Sequence, residues 1–126
     1  MGALETTVRD VMAAFDRQEY DVLRNRLAPD AQGVDEITRR WLRDAGEIDA
    51  YFKQLEGSVE QIRTSLSDLR EDDWGDVGVV TGWMEQDYTV AGTPQHVSAP
   101  FTFVLRRIDG EWRLALMHAV PLPEEG

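Results

Sequence analysis

The last strand-like run of the chain is Trp112-Arg113-Leu114-Ala115-Leu116-Met117-His118, which follows the dipeptide Asp109-Gly110 almost directly. Asp-Gly is a strong hairpin signal, because both central residues of such a turn adopt positive φ angles. The two runs before it, 77–90 and 97–108, are rich in β-branched and aromatic residues, with a turn expected at Gly92-Thr93-Pro94. The last third of the chain is therefore predicted to be three strands joined by tight turns.

The N-terminal half shows helical periodicity instead. Residues 4–18 place apolar side chains on one face, which predicts an amphipathic helix. A short second helix is expected to end before Pro29, because the residue before a proline disfavours helical geometry. Asp44 and Glu47 form a variant of the capping box at the start of a third helix, and Gly57 is expected to end it.

Two segments between these regions carry weaker signals. Residues 30–35 predict a short strand, which Gly33 weakens. Residues 58–70 fit a helix or a strand, because Ile62 and Leu66 suit both periodicities. Helices followed by a sheet indicate the α+β class rather than alternating α/β.

Composition narrows the classes of function. The chain has 126 residues, 42% of them hydrophobic, which predicts one domain over 1–126 with a loose tail at 121–126. A net charge of −11 without a basic stripe argues against nucleic acid. There is no cysteine, no apolar run of about 18 residues and no signal-peptide pattern, so we expect a cytoplasmic protein that does not contact membranes.

Strand 77–84 is apolar on both faces. Val79 and Trp83 point to one side, and Val80 and Met84 to the other. A sheet covered by helices on one side only normally alternates apolar with polar residues. A homodimer through the sheet is therefore expected, the alternative being a sheet that curls enough to bury both faces within one chain.

The residues that carry a family resemblance are Asp109-Gly110-Glu111-Trp112-Arg113-Leu114, the downstream His118 and the segment 46–55 before the sheet. In this order the chain resembles the nuclear transport factor 2-like superfamily, in its SnoaL-like and ketosteroid-isomerase-like branch. The resemblance implies a cone-shaped, strongly curved, mainly antiparallel sheet wrapped around three N-terminal helices (a cystatin-like roll), with an apolar pocket and frequent dimers through the sheet. It also implies that residues 58–70 are strand.

The resemblance places Asp35 where ketosteroid isomerase has its general base. Phe15 and Phe103 stand where that enzyme has its two oxyanion donors. Because loss of one such donor typically lowers the rate about 10²–10³-fold, a steroid isomerase of that type is not expected.

Asp35 and His118 are the predicted catalytic residues. His118 shares a predicted strand face with Trp112, Leu114 and Leu116, and the resemblance places it near the pocket. A histidine titrates near neutrality and an apolar pocket favours a basic carboxylate, so the two side chains suit proton transfer. The alternatives are that His118 is a core residue and that Asp35 lies in a solvated loop.

The predicted pocket wall consists of aromatic residues: Phe15, Tyr51, Trp83, Phe101, Phe103 and Trp112. No cofactor is predicted, because the chain lacks a glycine-rich phosphate loop, and two histidines without cysteine predict no metal site. Two functions follow. The first is a SnoaL-like protein that binds a small apolar metabolite without demonstrated catalysis. The alternative is a proton-transfer enzyme (isomerase, cyclase or dehydratase) that uses Asp35 and His118.

Overall fold

The structure, a computed structural model, describes residues 2–123. This part of the chain forms three helices and one five-stranded sheet. The elements are α1 (Ala3–Asp16), α2 (Tyr20–Asn25), β1 (Leu27–Val34), α3 (Ala45–Ser58), β2 (Val59–Asp73), β3 (Val77–Val90), β4 (Thr93–Ile108) and β5 (Glu111–Ala119). The predicted α+β order is confirmed. Residues 124–126 of the predicted tail lie outside the described residues. Within residues 2–123, no helix is long and apolar enough to cross a bilayer.

The sheet is mixed and strongly bent. Its strand order is β1-β5-β4-β3-β2, with β1 parallel to β5 and every other pair antiparallel. In β2 the pairing register shifts around Gln61 and Asp68, and both residues have positive φ (56° and 54°). Such bulges bend a strand and increase its twist, so β2 curves around α1. The strand expected for residues 58–70 is confirmed from Val59 onwards.

Both hairpins of the meander use the same turn geometry. Asp109-Gly110 has φ angles of 51° and 79°, as predicted, and Ala91-Gly92 has 50° and 80°. The turn predicted at Gly92-Thr93-Pro94 is therefore displaced by one residue. Thr93 and Pro94 already belong to β4, where they pair with Val90 and Thr89.

The predicted Asp44 cap of α3 is present, but Glu47 binds the amide of the preceding residue rather than that of the cap residue. The Asp44 carboxylate accepts a hydrogen bond from the Glu47 amide at 2.8 Å, and the Glu47 side chain accepts one from the Arg43 amide at 3.0 Å. Gly57 does not end this helix, which continues to Ser58. α3 packs against β1, and the candidate site lies where Tyr51 of α3 meets Asp35 after the end of β1.

The two sheet faces of β3 are as predicted. Val80 and Met84 are fully buried against the helices, whereas Trp83 on the outer face remains 38% exposed. The core is continued by inward residues of β4, including Phe103 and Leu105. The concave face of the sheet and the three helices thus enclose one apolar interior.

Candidate functional site

The centre of the candidate site is the carboxylate of Asp35, directly after β1. Asp35 is buried, with only 6% of its surface exposed. The backbone amide and the hydroxyl of Thr38 both donate to Oδ1 at 2.9 Å, and the Tyr51 hydroxyl donates to Oδ2. Three donors from a turn and from α3 therefore fix this carboxylate, and the alternative that Asp35 lies in a solvated loop is wrong.

Tyr51 reaches Asp35 because it lies on the buried face of α3. Burial raises the pKa of Tyr51 far above its usual range, and the charge of Asp35 raises it further. The phenol therefore remains protonated and acts as a hydrogen-bond donor to Asp35. This pairing was not predicted, although Tyr51 was placed in the pocket.

Glu36 is a second buried acid beside Asp35. It is 0% exposed, and within residues 2–123 neither of its carboxyl oxygens has a hydrogen-bond partner. Burial, followed by the neighbouring charge of Asp35, raises the pKa of Glu36 to about 8. Glu36 is therefore mostly protonated at pH 7, and the pair carries close to one negative charge.

The surroundings of Glu36 suit a neutral carboxyl group. The nearby Gln86 is fully buried, and its Oε1 has no donor among the described residues. Its Nε2 donates to the Thr64 hydroxyl at 2.9 Å. A protonated Glu36 is a donor, which is what Gln86 Oε1 lacks. Sequence reasoning missed both residues, because nothing in the local pattern distinguishes them from solvated polar positions.

An apolar cavity lies against Asp35 and Tyr51. It measures about 90 Å³ and is bounded by α1, α3, β1 and β5; we call it the inner cavity. Its wall includes Met12, Phe15, Val34, Leu42, Leu114 and Met117. Asp35 and Tyr51 are the ionisable side chains in this wall, so they supply its charge and its strongest hydrogen-bonding groups.

A larger, more open cavity of about 350 Å³ adjoins the inner one, and we call it the outer cavity. The two share Leu27, Ala31 and Ile48 in their walls. Arg24 and Arg113 line the outer cavity. The two cavities are therefore neighbours, and the outer one carries charged side chains that the inner one lacks, Asp35 apart.

His118 does not lie in the inner cavity. In β5 the register shifts from Leu105↔Leu114 to Val104↔Leu116, which leaves Ala115 as an extra residue. This bulge reverses the alternation of side chains. The predicted shared face of Leu114 and His118 is therefore wrong.

The consequence of this bulge is that Leu114 and Met117 both point inward, whereas His118 is exposed on the outer face. There its ring lies 6.1 Å from the ring of Trp41. The structure does not bring Asp35 and His118 together in one cavity. Only Asp35 of the predicted catalytic pair occupies the site.

The predicted aromatic wall is present in part. Phe15 and Tyr51 line the inner cavity. Phe101 and Phe103 are core residues whose rings lie 5.2 Å apart, and neither reaches the cavity. The other two predicted wall residues are also elsewhere: Trp83 lies on the outer sheet face, and Trp112 packs under the Arg107 guanidinium at 4.5 Å.

Comparison with known proteins agrees with this architecture. The SnoaL-like domain family matches residues 4–122, nearly the whole chain. The chain belongs to the SnoaL-like family. The predicted resemblance is thus confirmed, while no curated protein gives a significant sequence match. The SnoaL-like fold hosts different functions, so membership leaves activity to be argued from the site.

Solved structures similar to this SnoaL-like protein include three proteins to which different functions are assigned. One, from Xanthomonas campestris, is assigned as a calcium/calmodulin-dependent protein kinase II association domain (19% identity, 97% of this chain and 87% of that chain, TM-score 0.84). Another, from Streptomyces avermitilis, is assigned as a dehydratase of the nuclear transport factor 2-like family (19% identity, 97% of this chain and 95% of that chain, TM-score 0.82). A third is a ketosteroid isomerase-like protein from Erwinia carotovora (15% identity, 97% of this chain and 95% of that chain, TM-score 0.81). At these identities the likeness shows the fold.

Proposed function

We propose that this SnoaL-like protein binds a small, largely apolar molecule in the inner cavity. The observation that carries the proposal is the buried carboxylate of Asp35, held by Tyr51 and Thr38 on the wall of an otherwise apolar space. Apolar walls with a few fixed polar groups are typical of small-molecule sites. The cavity volume restricts the occupant to a small molecule or to one end of a larger one.

The methionines of the chain allow a direct test with dissolved xenon, which enters apolar cavities. Met12 and Met117 line the inner cavity, whereas Met84 is buried elsewhere and serves as an internal control. In protein labelled with ¹³C at the methionine methyl groups, xenon is expected to shift the signals of Met12 and Met117 but not that of Met84. Unchanged signals for both cavity methionines would contradict the proposal.

Proton transfer, the alternative function, receives less support. His118, the predicted partner of Asp35 in proton transfer, lies on the opposite face of the sheet. The phenol of Tyr51 is itself committed to Asp35. Binding without proton transfer therefore fits the groups in the inner cavity better.

Self-association through the outer face of the sheet is the second part of the proposal. Trp83 pairs across the sheet with Pro100, and the row Val79–Val104–Leu116 lies farther along the same face. These side chains are half-buried or exposed in a single chain. The association domain among the similar structures adds support, because by its description it serves assembly. A second copy of the chain is the proposed occupant of this face.

A further inference from the structure

Among residues 2–123, no cationic side chain forms a salt bridge with the buried carboxylate of Asp35. Arg39, four residues along the same loop, directs its Nε to the backbone oxygen of Glu36. Buried charges in proteins are normally paired. The three hydrogen bonds to Asp35 are all from uncharged donors.

The carboxylate retains room for one more donor. A carboxylate offers about four lone-pair sites on its two oxygens. Thr38 uses two on Oδ1, and Tyr51 uses one on Oδ2. One site on Oδ2 is therefore left, and Asp35 lies in the wall of the inner cavity.

We propose that the molecule bound in the inner cavity is a small protonated alkylamine, whose ammonium group donates to Asp35 while its alkyl group contacts the apolar wall. The inference rests on the proposed binding function and specifies its ligand class. An ammonium group supplies both the missing positive charge and the missing donor. An alcohol supplies only the donor, and a carboxylate ligand is repelled by Asp35.

The charge of the acidic pair agrees with a singly charged ligand. Because burial keeps the neighbouring Glu36 mostly protonated at pH 7, Asp35 presents the main negative charge. An alkylamine with a pKa near that of a lysine side chain, about 10.4, is a monocation at this pH. One cation therefore neutralises the pair.

The cavity volume limits the size of the amine. An engineered apolar cavity of about 150 Å³ binds benzene, and the inner cavity measures about 90 Å³. Isobutylamine, a branched four-carbon amine, is about as large as benzene, so it enters the inner cavity only if the wall adjusts. The flexible side chains of Met12 and Met117 allow some adjustment of the wall.

The test compares three probes that share the isobutyl shape: isobutylamine, isobutanol and isovalerate. Each is titrated at pH 7 into the ¹³C-methyl-methionine protein, and the shifts of Met12 and Met117 are followed with Met84 as control. We expect isobutylamine to bind at least about tenfold more tightly than isobutanol, which corresponds to about 1.4 kcal/mol for a charge-assisted hydrogen bond. Isovalerate is expected to leave the signals unchanged.

The substitution Asp35→Asn separates charge from shape. It should reduce the preference for isobutylamine over isobutanol to less than about twofold, while Tyr51→Phe, which keeps the carboxylate, should retain the preference. Equal binding of amine and alcohol by the unsubstituted protein would overturn the amine assignment, whether or not the Asn variant folds. If xenon enters the cavity but the amine does not, the amine class is wrong and the binding function stands. If neither enters, the binding function itself is contradicted.

Discussion

The hydroxyl of Tyr51, on the buried face of α3, donates a hydrogen bond to the carboxylate of Asp35 at the end of β1. This contact joins a helix to the strand that lies parallel to β5. It also places beside an apolar space the one carboxylate that residues 2–123 contribute to the inner-cavity wall. The proposed function depends on this arrangement.

The contribution of this contact to stability is measured by Tyr51→Phe. Removing the hydroxyl leaves a buried carboxylate with one donor fewer, so we expect the free energy of unfolding to fall by about 1–3 kcal/mol. Tyr88→Phe is the matched control, since Tyr88 is also buried but its hydroxyl has no hydrogen bond within residues 2–123. Urea denaturation of both variants gives the comparison, and equal losses would contradict the assigned role of Tyr51.

The buried Glu36 predicts an unusual dependence of stability on pH. Its pKa is about 8 in the folded protein and near the ordinary value of 4.5 in the unfolded chain. The unfolded chain therefore releases this proton first, and the contribution of Glu36 to stability declines as pH rises from about 4.5 to about 8, by at most about 1.4 kcal/mol per pH unit.

Glu36→Gln tests this dependence, because an amide does not titrate. Urea midpoints measured at pH 5 and pH 8 should differ less in this variant than in the unsubstituted protein. Glu60→Gln, at an exposed position of β2, should leave the difference unchanged. Parallel pH profiles for the Glu36 variant and the unsubstituted protein would show that Glu36 ionises normally.

Gly33 allows β1 and β5 to approach each other beside the inner cavity. A Cβ atom at this position would lie 2.8 Å from the backbone oxygen of Met117, which cannot move without shifting β5. We expect Gly33→Ala to lower the unfolding free energy by about 1–3 kcal/mol. Gly57→Ala, where a Cβ meets nothing within 4 Å inside α3, should be neutral or stabilising by up to about 1 kcal/mol. Thermal unfolding measures both variants, and a midpoint for Gly33→Ala at or above that for Gly57→Ala would contradict the close approach of β1 and β5.

The proposed dimer is tested by Trp83→Arg. A charge at the centre of an apolar contact is unfavourable because it must be desolvated, so this variant is expected to be monomeric. Trp74→Arg is the control, since Trp74 is 67% exposed in the β2–β3 turn rather than on the outer sheet face. Sedimentation equilibrium should show dimers for the control and for the unsubstituted protein. A monomeric unsubstituted protein, or a dimeric Trp83 variant, would refute this interface.

Regular periodicity made much of the fold predictable from the sequence. The Asp44 cap and the Asp109-Gly110 turn depend on local chemistry, so both appear where the sequence indicates. The faces of Val80 and Trp83 were also predicted correctly, because β3 alternates without interruption over this stretch.

The errors arose where a bulge or a tertiary contact decides the outcome. The register shift at Ala115 is set by pairing with β4, and it turns His118 away from the site. Nothing in the sequence around Asp35 indicates that Tyr51 will meet it or that Glu36 will be buried. These features depend on how α3 packs against the end of β1, which is a non-local property.

The most direct test of the binding site is a crystal structure of the protein soaked with isobutylamine. We expect electron density for the amine in the inner cavity. Its nitrogen should lie about 2.7–2.9 Å from the Asp35 carboxylate, and its methyl groups should contact Met12 and Met117. An inner cavity that remains empty while the amine binds only at the surface would contradict the proposed site.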